Sequence, residues 1–149
     1  MSPKMEKVMV LVRKAESDYK ASLILLNDRE HEGFYGVISF HCQQCIEKSL
    51  KAFLMLHEVR SPKTHDLGVL QELCAGVDET FKGFELVDIS KFGVNVRYDE
   101  PSPGMEETQN AFETAGMVLE HVKERARQSM RETLPGMGAG CEPEGENKA

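Results

Sequence analysis

The chain has 149 residues, 40% of them hydrophobic and 29% charged, with a formal net charge of -7 and no tryptophan. That length supports one domain with an ordinary hydrophobic core, and the acidic balance argues against broad binding to nucleic acid or anionic lipid, both of which need a basic field. The longest apolar runs, residues 8–12 and 23–26, fall far short of the roughly 20 residues that span a bilayer, so no membrane protein is expected.

The first twenty residues place charges beside a short apolar run and continue straight into an amphipathic pattern, which is not a secretory signal. With four cysteines and no such signal, a reducing, cytoplasmic setting with free thiols is expected.

In chain order, Val8, Leu11, Val12, Ala15, Tyr19, Leu23 and Leu26 build one helical stripe, predicting a first helix over 4–27. The polar stretch 27–33, ending in Gly33, predicts a loop. Residues 34–57 are rich in Leu, Ala, Lys, Glu and Gln and predict a second, central helix. Its apolar residues cover more than one face, and part of that surface is a candidate subunit contact. Ser61-Pro62 is expected to end it. Thr64 is a candidate cap for a shorter third helix running to about Gly76. Residues 78–96 predict one imperfect helix or two short ones, because Gly83 and Gly93 interrupt the pattern. Residues 95–104, with two prolines and a glycine, predict a rigid connection.

A last helix is predicted over 105–131, with Glu106 and Glu107 at its positive end and Lys123, Arg125 and Arg127 toward its negative end. The glycine-, proline- and glutamate-rich remainder predicts a tail without a packed core. The expected organisation is therefore a helical domain over 1–131 and a disordered tail over 132–149.

Several polar groups stand out. His41, Gln44, Lys48, Lys51 and Met55 recur at steps of three and four, so they share a stripe about 80° wide on helix two. That stripe is either a solvated face with a Glu47–Lys51 pair or one wall of a polar cleft. Cys42 and Cys45 form a lone CxxC beside His41. A zinc site would need further ligands, for which only His65 and Cys74 offer themselves, and a redox pair would be expected at a helix start rather than mid-helix. Packing is the simpler role, and no metal or cofactor is assigned. Lys63 and His65 stand where the third helix begins, a place suited to an anion. Arg97 and Tyr98 open the proline-rich connection, where the arginine can pair bidentately with a carboxylate or phosphate and the tyrosine can stack on a ring. An internal salt bridge from Arg97 to Asp66 or Glu47 is the alternative.

Taken together, the run 40–48 (FHCQQCIEK) followed by Leu50-Lys51-Ala52, then Lys63-Thr64-His65-Asp66-Leu67, then Arg97-Tyr98-Asp99, resembles the HEPN family of small helical proteins over about residues 8–123. The resemblance implies an all-α, antiparallel up-and-down bundle of four or five helices. It also implies a homodimer, often paired with a minimal nucleotidyltransferase as toxin and antitoxin, that binds nucleotides or cleaves RNA without metal. The RNase branch carries a histidine four to six residues after the arginine. Here YDEPSPGMEE follows Arg97, so no catalytic residue is assigned. Metal-independent cleavage needs groups that move protons near neutral pH, for which histidine is suited. His121 lies too far along the chain to match.

The expected function is a non-catalytic nucleotide- or partner-binding module whose ligand contacts come from His41, Gln44, Lys48, Lys63, His65, Arg97 and Tyr98. An RNase toxin using His41 or His65 is the alternative. A further one makes these residues internal salt bridges of the scaffold.

Overall fold

A computed structural model describes residues 1–93 and 102–133. Within them the chain forms α1 (Pro3–Leu26), α2 (Tyr35–Leu56), α3 (Leu67–Ala75), the single turn α4 (Val87–Ser90) and α5 (Met105–Thr133), with short 3-10 turns between them and no strand. The expected all-α bundle is thus present. None of its described helices is long and apolar enough to cross a membrane.

α1 starts where Ser2 accepts a hydrogen bond from the Met5 N–H (3.1 Å) and Pro3 occupies the first turn, a combination that satisfies an orphan donor and omits another. It runs antiparallel to α2. The Lys4 ammonium donates to the Leu56 carbonyl at one end (3.1 Å), and the Ser22 hydroxyl donates to the Ile38 carbonyl at the other (3.3 Å). α5 lies antiparallel to α1, with the Tyr19 and Phe112 rings stacked at 4.8 Å and Lys123 paired to Glu16 at 2.6 Å. Gly116 permits this approach, since a Cβ there would sit 3.1 Å from the Tyr19 ring.

α2 and α5 run in the same direction, and the chain after α2 comes back along it as far as Gly93, which lies against Gln43. Ser39 meets Thr108 (3.1 Å) and the Cys45 thiol faces the Ala115 carbonyl (3.9 Å). α2 is therefore packed by α1, α3 and α5 at once. Its Ile38, Ile46, Leu50, Phe53 and Leu54 are buried on different faces, as the excess of apolar positions predicts.

The ends of the elements differ from the sequence-based expectations in instructive ways. α2 stops at Leu56, before the proline, by a backbone device. Glu58 takes a left-handed φ of 57°, while Val59 N–H bonds the Leu54 carbonyl (2.9 Å) and Glu58 N–H bonds that of Met55 (3.1 Å). This is the Schellman pattern, closed here by a residue other than glycine. The cap of α3 is Asp66, which accepts from the Gly68 and Val69 N–H groups, and Thr64 instead accepts from the Asp66 N–H (3.0 Å). Residues 79–93 hold only single turns. The loop before α2 contains a 3-10 turn, His31–Phe34. At the start of α5, Glu107 reaches back to the Gly104 N–H (2.9 Å), a one-sided capping box. That helix continues to Thr133, so Lys123, Arg125 and Arg127 stand before its last turn and make ion pairs with Glu16, Asp78 and Glu124. The expected tail lies, beyond Thr133, outside the described residues.

The returning segment closes on α2 at Gly93, where an added Cβ would run into the amide of the fully buried Gln43. Gly93→Ala should lower stability by about 1–3 kcal/mol, the usual range for overpacking a filled interior. Urea denaturation would check it, and an unchanged midpoint would show that Gln43 can move aside.

Candidate functional site

The polar stripe of α2 is partly covered, and its last members, Lys51 and Met55, line a groove beside the start of α1. His41, Gln44, Lys48 and Lys51 are each half-buried, and the stripe is organised around two carboxylates that it reaches from different sides.

The first is Asp18 on α1, only 9% exposed. One carboxylate oxygen receives His41 Nδ1 at 2.7 Å and the other receives Lys48 Nζ at 2.6 Å. His41 and Lys48 stand two turns apart on α2, so this one residue clasps α1 to α2 along that length. Asp18 did not emerge from sequence reasoning. The signal was there: it lies four residues before Ser22 and three after Ala15, both fully buried, and a charge so placed requires a partner.

The second is Glu47 of α2, 5% exposed. Lys51 donates to it from the next turn (2.8 Å), His65 Nδ1 lies 3.1 and 3.2 Å from its two oxygens, and the Gln43 amide donates at 3.2 Å. Burial by itself pushes the Glu47 carboxyl upward, but the bonds from Lys51, His65 and Gln43 outweigh it and hold the group below its ordinary range. The same Gln43 amide donates to the His65 carbonyl (3.2 Å), and Gln44 donates to the Gln43 side-chain oxygen (2.8 Å). The chain entering α3 is thereby tied to the middle of α2.

Of the residues singled out in the sequence, the fold brings His41 and Lys48 onto Asp18, and Gln44 and His65 onto the Glu47 network. Lys63 is exposed and lines a different groove. Arg97 and Tyr98 lie outside the described residues. Both histidines turn Nδ1 toward a carboxylate, which favours the tautomer protonated there and leaves Nε2 as the free ring nitrogen.

The CxxC thiols sit in the core. Cys42 donates to the Ser22 hydroxyl (3.4 Å) and Cys45 faces the Ala115 carbonyl, and burial pushes them up to about 11 and about 12. Such thiols are poor nucleophiles near neutral pH. Cys74, bonded to the Leu50 carbonyl (3.6 Å), is likewise raised to about 12 by burial. No group of three or more metal-ligating side chains occurs among the described residues.

His121 belongs to a third network at the other end of the bundle. Asp78 accepts from His121 Nε2 (2.9 Å) and Arg125 (2.8 Å), and also caps the turn at Thr80. Burial alone would raise Asp78, but bonds from Thr80 and His121 and the Arg125 charge prevail and hold it at about 2. The network fastens the 79–83 turn to α5.

With this geometry in place the comparison with known families is direct. The model of the HEPN domain matches residues 8–125. The chain belongs to the HEPN family. No curated protein matches it. The matched span takes in both carboxylate networks and the Asp78 network.

Two outcomes follow. Asp18→Asn would leave Lys48 half-buried without its counter-ion and should lower stability by about 1–3 kcal/mol, the range for a stranded buried polar group, with a smaller loss in the Asp18→Asn, Lys48→Met pair. A double-mutant cycle by urea denaturation reads this directly. For pH, Glu47 and Asp78 are held below their ordinary values of 4.5 and 3.8. Such depressed carboxyls stabilise the fold fully above those values, and the contribution drains away as pH falls through them toward the folded values. Urea midpoints should therefore decline below about pH 4.5, and less steeply in Glu47→Gln and Asp78→Asn.

Proposed function

We propose that this HEPN chain is a non-catalytic module that works through protein contacts, as a homodimer and with a minimal nucleotidyltransferase of a toxin–antitoxin-type pair. The observation that carries this reading is an apolar row at the start of α2. Phe34, Val37 and Phe40 recur every third residue and are 36%, 47% and 38% exposed. At the same end of the bundle α1 leaves Ile24 63% exposed. Large apolar side chains gathered like this are typical of protein interfaces. The polar stripe supports the same reading from the other side, because Asp18 and Glu47 already engage the Lys48 and Lys51 ammonium groups that a phosphate would need.

Light scattering on the full chain should give twice the 16.7 kDa chain mass, reduced to one chain in Val37→Glu and Phe40→Glu with the helical content kept. A wild-type monomer would remove the homodimer. Co-purification with a co-expressed minimal nucleotidyltransferase tests the second partner. A nucleotide ligand is the other form of the proposal: saturable ATP binding by calorimetry, abolished in Lys63→Ala and Arg97→Ala, would shift the function there.

One observation favours an enzyme instead. The 2.7 Å contact of Asp18 with His41 Nδ1 leaves Nε2 placed as a general base. RNA cleavage in EDTA that vanishes in His41→Asn would establish that alternative, and inert clean preparations would end it.

A further inference from the structure

The end of the bundle far from the apolar row carries a groove of about 760 Å³ between the start of α1, the end of α2 and the turn that follows, with no α5 residue in its lining. Of the cations around it, Lys4 and Lys51 are held by Glu58 and Glu47, whereas Lys7, Arg60 and Lys63 are exposed and have no ion-pair partner among the described residues. The floor is apolar, from Leu11, Met55 and Val59. Free positive charge around an apolar base selects an acidic surface that also presents an apolar side chain, over a bare inorganic anion.

A surface of that chemistry lies on another side of the same molecule. On α5, Glu106, Asn110, Glu113, Met117, Glu120 and Glu124 recur at steps of four and three, so they share one stripe about 80° wide. It faces away from the buried Ala111, Ala115 and Val118. Glu120 and Glu124 are already engaged by Arg127, whereas Glu106 and Glu113 are exposed and have no ion-pair partner among the described residues. Met117 is 56% exposed and stands one turn from Glu113, so an acid and an apolar side chain point the same way about 6 Å apart. The stripe cannot reach the groove of its own molecule. α5 meets α1 through Glu16 and Tyr19, while Lys7 and Leu11 lie on the other flank of α1, across its buried Val8, Val12 and Ala15.

We propose that the groove receives the acidic stripe of α5 from a second copy of the chain, with Glu106 and Glu113 against Lys7, Arg60 and Lys63 and Met117 on the apolar floor. Each copy gives one surface and accepts with the other, so the contact is heterologous and propagates head to tail. It uses neither Val37 nor Phe40 and thus goes beyond the homodimer proposed above, which it would link into larger assemblies. Exposed ion pairs add little in salt water, so this contact is the weaker of the two and shows at high protein concentration and low ionic strength.

The test is sedimentation of the full chain carrying Phe40→Glu, which removes the apolar-row contact and makes the result independent of that homodimer. The weight-average mass should climb above 16.7 kDa with concentration at low salt and return to it in about 1 M salt, where screening acts within roughly 3 Å. Adding Lys7→Glu, Lys63→Glu should abolish the climb. So should Glu106→Lys, Glu113→Lys, although that pair makes the chain less acidic and would promote association if overall repulsion were in control. An equal mixture of the two variants should associate again, because each supplies the surface that the other lacks, and so should one chain with all four substitutions, which keeps the parent net charge and swaps the two surfaces. All four positions are exposed, and unchanged helical content by circular dichroism keeps a misfolded variant from counting as a loss. A parent that stays at one chain mass at every concentration and salt would overturn the proposal, as would a climb that survives either pair of reversals. Loss with both pairs but no recovery in the mixture or the four-fold variant would show that the two surfaces do not meet, and overturn it as well.

Discussion

Glu47 sits on the most enclosed helix of the molecule, and much of the architecture follows from the need to keep its charge satisfied. A carboxylate removed from water destabilises the fold by several kcal/mol unless partners surround it. Lys51 and the Gln43 amide come from the same helix, but His65 can serve it only if the chain leaving α2 turns back and passes alongside. The left-handed turn at Glu58 sends the chain back, the Gln43 bond to the His65 carbonyl holds it, and Asp66 then starts α3. Gly93 completes the enclosure by letting the returning backbone lie directly on Gln43.

Asp18 plays the matching part between α1 and α2. Together the two carboxylates tie the polar stripe of α2 to α1 and to the chain entering α3. This bears on function. Cations already held by buried carboxylates are weak candidates for a phosphate, since the ligand would have to displace a partner whose removal strands another charge. The surfaces left unsatisfied are elsewhere: an apolar row at one end of α2 and a basic groove at the other.

The three cysteines of the core illustrate the same point on a smaller scale. A CxxC motif suggests chemistry, but mid-helix and fully buried it supplies two small, well-packed side chains whose protons are held tightly. The Asp78 network likewise takes His121 and Arg125, in sequence a candidate reactive group and a dipole-matching one, and uses them to pin a single turn to α5.

The sequence by itself determined the helical class, the four long or middling helices to within a few residues, the central place of α2 and membership of the HEPN family. Each of these rests on local periodicity, propensity or a contiguous motif, and such signals are written along the chain. It also held the Glu47–Lys51 pair, a contact within one helix. Only the tertiary structure decided that Asp18 is the partner of His41 and Lys48, that Asp66 rather than Thr64 caps α3, that a left-handed Glu58 closes α2, and that Lys63 faces a separate groove from His65. Those facts depend on which residues distant in sequence meet, and on a backbone conformation at Glu58 that its residue type does not favour. Pairing across 23 residues between His41 and Asp18 leaves no trace in the sequence of which partner is met, because the geometry that creates it exists only once the helices have packed.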